Sequence, residues 1–154
     1  MREAGNTIKV NFYDTVSDEK LKFAVIVSQY QDKWVWCKHK QRDTYEIPGG
    51  HREAGEAIAD TARRELYEET GAVEFQLKPI CVYSVAQVRL AGETDSETFG
   101  MLFFAKINRL EDELHSEIER ITLFEGMPEQ LTYPLIQPFL MERAVAFCEA
   151  GGNV

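Results

Sequence analysis

Hydrophobic and polar positions divide the 154-residue chain into strand-like runs interrupted by two helical periodicities. Residues 8–14 (IKVNFYD) and 22–30 (KFAVIVSQY) carry strand patterns, the second apolar enough to suit a strand covered on both faces. WVWCKHK (34–40) follows the polar turn Gln31-Asp32-Lys33, which predicts a hairpin. At Pro48-Gly49-Gly50 the pattern stops and a loop is expected. From 56 to 70 the period changes: Ile58, Ala62 and Leu66 recur at i, i+4, i+8, predicting a helix with one buried stripe, and Gly71 is a natural left-handed stop. Further strands are expected at 81–90 and 98–107, joined by the polar turn AGETDSE (91–97), and at 120–125. The stretch 133–150 reads as a closing amphipathic helix entered at its prolines. Strands mixed with two helices predict one α/β layered domain over 1–154.

Composition narrows the classes without choosing one. Hydrophobic residues at 44% and charged residues at 28% are globular values, with no low-complexity tract or repeat. The N-terminus lacks the apolar run of a signal peptide and no stretch reaches membrane-spanning length, so a soluble, cytoplasmic protein without a membrane partner is expected. Cys37, Cys81 and Cys148 are odd in number, widely spaced and set in apolar sequence, which predicts buried free thiols rather than disulfides or a zinc site. A net charge of -9 argues against an extended phosphate-binding surface such as a DNA duplex needs.

One feature of the first helix conflicts with helix electrostatics. Glu65, Glu68 and Glu69 crowd its last turns, where the dipole is already negative. At 100° per residue they share an arc of roughly 100° bordering the apolar stripe, with Glu69 nearest to it. Like charges at the rim of a core call for a cation, and three oxygen donors on one face suit a hard divalent ion such as Mg²⁺; a solvated acidic face is the alternative.

The spacing around these acids is specific. Gly50, five residues, Glu56, seven residues, then Arg64-Glu65-Leu66-Tyr67-Glu68-Glu69-Thr70-Gly71-Ala72 resembles the Nudix box at every fixed position, with Ala72 smaller than the usual final aliphatic residue. The flanking YEIPGG is similar to the entry of MutT-like members, and the resemblance runs from about Phe23 to residue 129. It implies a Nudix fold, an α/β/α sandwich with a mixed sheet, and cleavage of a nucleoside diphosphate linked to another group. It also implies that Glu65, Glu68 and Glu69, with the Gly49 carbonyl, hold Mg²⁺, for which Mn²⁺ can substitute, with Glu69 the least dispensable. Arg64 would orient the carboxylates and Glu56 would hold the loop at the favourable end of the helix.

The attacking water also needs a base. Glu117, in ELHSEIER (113–120), is the first choice as base or auxiliary ligand, by resemblance to acids before the same strand in MutT-like relatives; Glu119 is second. His51 and Arg52 either contact phosphate or are a solvated pair, and Glu53 either supports the loop acids or is a surface charge. Trp34 and Trp36 face one way and either stack on a base or pack, the latter favoured; Tyr83 and Phe12 are weaker candidates. Three functions are open: Mg²⁺-dependent cleavage of a small nucleotide, a nucleoside triphosphate or oxidised one, to monophosphate and pyrophosphate; action on an RNA 5′ end; and a non-catalytic sensor, against which the complete acid set speaks. The first is preferred, and oligomeric state is not readable.

Overall fold

A computed structural model describes residues 7–88, 94–111 and 118–152. Eight strands, β1 (Thr7–Tyr13), β2 (Leu21–Tyr30), β3 (Lys33–His39), β4 (Tyr45–Glu46), β5 (Gly49–His51), β6 (Ala72–Val88), β7 (Thr94–Leu110) and β8 (Ile118–Phe124), join one mixed sheet. The main path runs β1-β6-β7-β2-β3-β4, with β5 on β2 and β8 on β3, and only β2 and β7 are parallel among the pairs in this sheet. Helix α1 (Ile58–Thr70) covers one face, on Ala24, Ile26, Phe103, Ala105 and Ile107. Helix α2 (Gln137–Phe147) covers the other, over Val27, Trp36, Tyr83 and Leu102. The expected α/β/α layering is therefore present, and the apolar run of β2 is explained by cover on both faces.

The local reasons are legible in α1 and in the first hairpin. Ala62 and Leu66 are fully buried with Ile58 packed beside them, and Gly71 ends the helix in the left-handed region (φ 79°). Gln31 and Asp32 turn β2 into β3 with positive φ at both positions, the geometry whose twist matches a two-residue hairpin.

Several boundaries differ from expectation. α1 starts at Ile58, so Glu56 stands ahead of the helix, and α2 starts at Gln137 rather than 133, with a π turn over Cys148–Gly152 after it. β8 begins at Ile118, and β6 and β7 run 17 residues each, so residues 72–80 are strand and β7 already starts inside the expected 91–97 turn. Only Cys37 of the three free cysteines is fully buried; Cys81 and Cys148 are partly exposed.

The most consequential difference concerns the expected glycine loop. After pairing at Gln29–Trp34 and Tyr30–Lys33, β2 and β3 splay apart, and residues 45–51 fill the wedge: β4 pairs with β3, β5 with β2. Gly49-Gly50 are thus strand residues, chosen for close approach. A Cβ on Gly49 would meet the Ala24 carbonyl oxygen at 2.5 Å, and one on Gly50 would collide with the Glu65 carboxylate.

Candidate active site

The wedge aims backbone groups at α1. The Ile26 N–H donates to the Pro48 carbonyl and the Arg52 N–H to the Lys22 carbonyl, which fixes Ala24–Gly50 as a hydrogen-bonded pair and leaves Gly49 between such pairs. The N–H and carbonyl of Gly49 therefore point away from β2, and the N–H donates to Glu69 Oε1 at 2.8 Å. The final turn of α1 is tied down from the other side by the buried Cys37 thiol, which reaches the Glu69 carbonyl at 3.5 Å.

Arg64 organises the remaining acids. Its Nε donates to Glu56 Oε2 at 2.8 Å, its Nη2 to Glu56 Oε1 at 3.1 Å and to the His51 carbonyl at 2.9 Å. Its Nη1 spans Glu68 Oε1 (3.1 Å) and Glu65 Oε2 (3.4 Å). Glu56 also accepts from the Glu53 N–H and the Thr61 hydroxyl, so its side chain closes the turn before α1 and ties that turn to the first turn of the helix. The Arg64 hydrogen bond, helped by those from Glu53 and Thr61, holds the Glu56 carboxyl down to about 2.

Glu69 lies in the opposite condition. Burial, added to by the charges of Glu65, Glu46 and Glu68 and only partly offset by the Gly49 N–H, pushes its carboxyl up to about 8. Burial also raises Glu65, against the pull of Arg64. The negative charge in this corner is therefore under-compensated by protein groups.

Beside the Gly49–His51 strand opens a cleft of about 440 Å³. Phe23, Val25, Tyr83 and Val85 line one side, Tyr133, Ile136, Gln137 and Leu140 another, with Glu46 and His51 at the end next to the acids. The rings of Phe23 and Tyr83 lie 5.5 Å apart, and the Gln137 amide, 4% exposed, receives the Tyr133 N–H at 3.3 Å.

The profile of the NUDIX domain family matches residues 18–121. The chain belongs to the Nudix family. A protein of Bacillus subtilis (strain 168) named "Putative 8-oxo-dGTP diphosphatase YtkD" is 30% identical over 141 residues, which cover 91% of this chain and 85% of that one. The Bacillus subtilis pyrophosphohydrolase BsRppH is 25% identical and superposes with a TM-score of 0.71, covering 92% of this chain and 91% of that chain. A NUDIX hydrolase from Nitrosomonas europaea, 21% identical with a TM-score of 0.62, covers 82% and 89% respectively and shares the fold.

This Nudix hydrolase thus brings Glu65, Glu68, Glu69, Arg64 and Gly49 to one corner, while Glu117 lies outside the described residues. Glu119 is not among the cleft-lining residues: it is exposed and paired with Lys38 (3.1 Å) and Arg120 (2.7 Å). Arg52 is committed to Asp18, Leu21 and Glu56 rather than to the cleft, and Glu53 is 69% exposed at 3.8 Å from Arg64. Trp36 is core and Trp34 packs edge-on against Phe104; Phe12 lies under Arg143 in a separate cavity. Of the aromatic candidates, Tyr83 lines the cleft. Glu46, Tyr133 and Gln137 were not anticipated; the nearest signal was Glu46 standing directly before Ile47-Pro48-Gly49.

Divalent metals belong to this family's chemistry. The donors fit one: hard carboxylate oxygens, an outward backbone carbonyl and a buried Glu69 whose charge lacks a cation. Among the described residues, no three such side chains converge on an ion position as they stand, because Arg64 holds Glu65 and Glu68 while Glu69 turns to Gly49. Arg64 takes one oxygen of each carboxylate, Glu65 Oε2 and Glu68 Oε1, so it can orient both acids while their other oxygens serve an ion.

Proposed function

We propose that the chain is a Mg²⁺-dependent pyrophosphohydrolase of small nucleotides, converting a nucleoside triphosphate, unmodified or oxidised, to monophosphate and pyrophosphate. The observation that carries this reading is the juxtaposition of a half-enclosed apolar cleft, sized for one nucleoside, with the acid corner at Gly49-Gly50. The name of the B. subtilis relative points the same way. Glu65, Glu68, Glu69 and the Gly49 carbonyl would hold the ion, which supplies charge neutralisation at the phosphates and a water acidic enough to attack at neutral pH. Arg64 positions Glu65 and Glu68, Glu56 fixes Arg64, and the Phe23 and Tyr83 side of the cleft keeps water from the base. Glu117 is proposed as base or auxiliary ligand. Three free thiols suit a reducing cytoplasm as the site of action.

The test is a panel of nucleoside triphosphates, oxidised triphosphates and a triphosphorylated RNA oligomer, incubated with Mg²⁺ and scored for released phosphate species. Free nucleotides are expected to yield pyrophosphate and monophosphate. Much faster turnover of the RNA would overturn the small-nucleotide reading.

A further inference from the structure

A nucleotide carries several negative charges into a cleft lined by Glu46, and the Gly49-Gly50 edge of that cleft packs directly against Glu65 and Glu69. A divalent ion offsets part of this repulsion, and a protein cation is needed for the rest of the phosphoryl chain. The hydrogen bonds of the described cations around the site show which is free to serve. Arg64 donates from all three nitrogens to Glu56, Glu65, Glu68 and the His51 carbonyl. Arg52 donates from all three to Glu56, Asp18 and Leu21. Lys38, 12% exposed, is held by Glu119, and Arg120 is shared between Glu119 and the Tyr45 hydroxyl.

Arg42 differs. Its Nη1 reaches Glu46 Oε2 at 3.0 Å, its side chain is 43% exposed, and the hydroxyl of Tyr133 lies against the guanidinium. Glu46 and Tyr133 line the cleft from different elements, β4 and the segment before α2, and Arg42 touches both from outside the lining. Glu46 in turn pairs across the sheet with Cys37, whose thiol reaches the Glu69 carbonyl at 3.5 Å. Arg42 thus stands one carboxylate from the acid corner, and among the described residues Glu46 is the carboxylate it donates to, through Nη1.

We infer that Arg42 is the side chain that takes the phosphoryl chain of the substrate, exchanging part of its contact with Glu46 and Tyr133 for phosphate oxygens. A fork of donors suits this better than a point charge, because it can hold Glu46 and a phosphate at once. The inference rests on the reading of the substrate as a nucleotide.

The experiment compares wild type, Arg42→Met, Arg42→Lys and Arg63→Met, the last an exposed cation on the opposite side of α1. Binding with Mg²⁺ is titrated for a triphosphate whose α,β-bridging oxygen is replaced by methylene, for the monophosphate and for the uncharged nucleoside. Arg42→Met is expected to weaken the triphosphate analogue roughly 10- to 100-fold, as loss of a charged hydrogen-bond donor does, the monophosphate less, and the nucleoside less than twofold. Arg42→Lys should lie between, and Arg63→Met should match wild type. For hydrolysis the change should fall on KM rather than kcat. Unchanged triphosphate binding in Arg42→Met, or an equal loss for nucleoside and triphosphate, overturns the inference. A wild-type protein that hydrolyses no free nucleotide overturns the substrate reading instead.

Discussion

The two ends of α1 hold the same chemical group in opposite states. Ahead of the helix Glu56 is a carboxylate surrounded by donors from Arg64, Thr61 and the Glu53 N–H, and it stays ionised down to about 2. At the far end Glu69 is buried, has one backbone donor and acidic neighbours, and protonates at about 8. The dipole favours the first position and opposes the second, but the larger difference is that one arginine serves the first and, among the described residues, none serves the second. A finished ion pair stabilises the turn; an unfinished one leaves a place for an external cation. The contrast sets apart two acids that share one motif: one is satisfied by protein groups, the other is not.

The sharpest way to break this contrast is Glu69→Gln. Turnover is expected to fall roughly 10²- to 10³-fold or more, the scale seen when one group stabilising developing charge is removed. In EDTA the variant should melt at or above the wild-type temperature, since a charge leaves the wrong end of a dipole. Full activity in the variant, or in wild type stripped of metal, would refute the assignment. Arg64→Ala attacks both ends at once. Glu56 loses its main partner and Glu65 and Glu68 lose their orientation, so turnover should drop roughly 10- to 100-fold, as for groups that position metal ligands, with a loss of about 2 kcal/mol in denaturant titrations. An effect on stability alone would show that the arginine serves only the Glu56 turn.

The smallest effect is the pH dependence of stability without metal, and here the two acids have opposite signs. Glu69 is raised in the folded state, so its contribution is complete below the unfolded value near 4.5 and is lost as pH rises through about 8. Glu56 is lowered, so its contribution is present above that value and is lost as pH falls through about 2. Melting temperatures of Glu69→Gln should therefore decline less than wild type between pH 5 and pH 8, while Glu56→Gln should flatten the acid limb. Parallel curves for all three proteins would contradict the contrast.

How much of this was written in the order of residues depends on distance along the chain. The stripe of Ile58, Ala62 and Leu66, the stop at Gly71 and the converging acids follow from one helical period, so α1 and the grouping of its acids were legible. The β5 strand was not, because Gly49-Gly50 look like a turn until β2 is placed beside them. The first half of β6 did carry a signal: Val73, Phe75 and Leu77 alternate with Glu74, Gln76 and Lys78 in strict period two. The start of α2 slipped because the Tyr133-Pro134 and Gln137-Pro138 steps both look like helix entries, and packing of Gln137 and Leu140 selects the later. The cleft wall was hidden for a simpler reason. Glu46, Tyr83 and Gln137 are separated by tens of residues, and only the sheet brings them together.

The wedge between β2 and β3 has an implication for how such a protein can diverge. The acid corner itself, from Glu46 through the Gly49 backbone to Glu69, comes from one uninterrupted run of 24 residues, braced from β3 by the Cys37 thiol. The rest of the cleft comes from three other places, the start of β2, the middle of β6 and the approach to and start of α2. Replacing the remote wall should alter which molecule is held, while the run that carries the acids is inherited intact. In a gene, the two properties occupy separate stretches, so exchanging the segment around residues 133–140 between relatives should transfer preference for a base without rebuilding the chemistry.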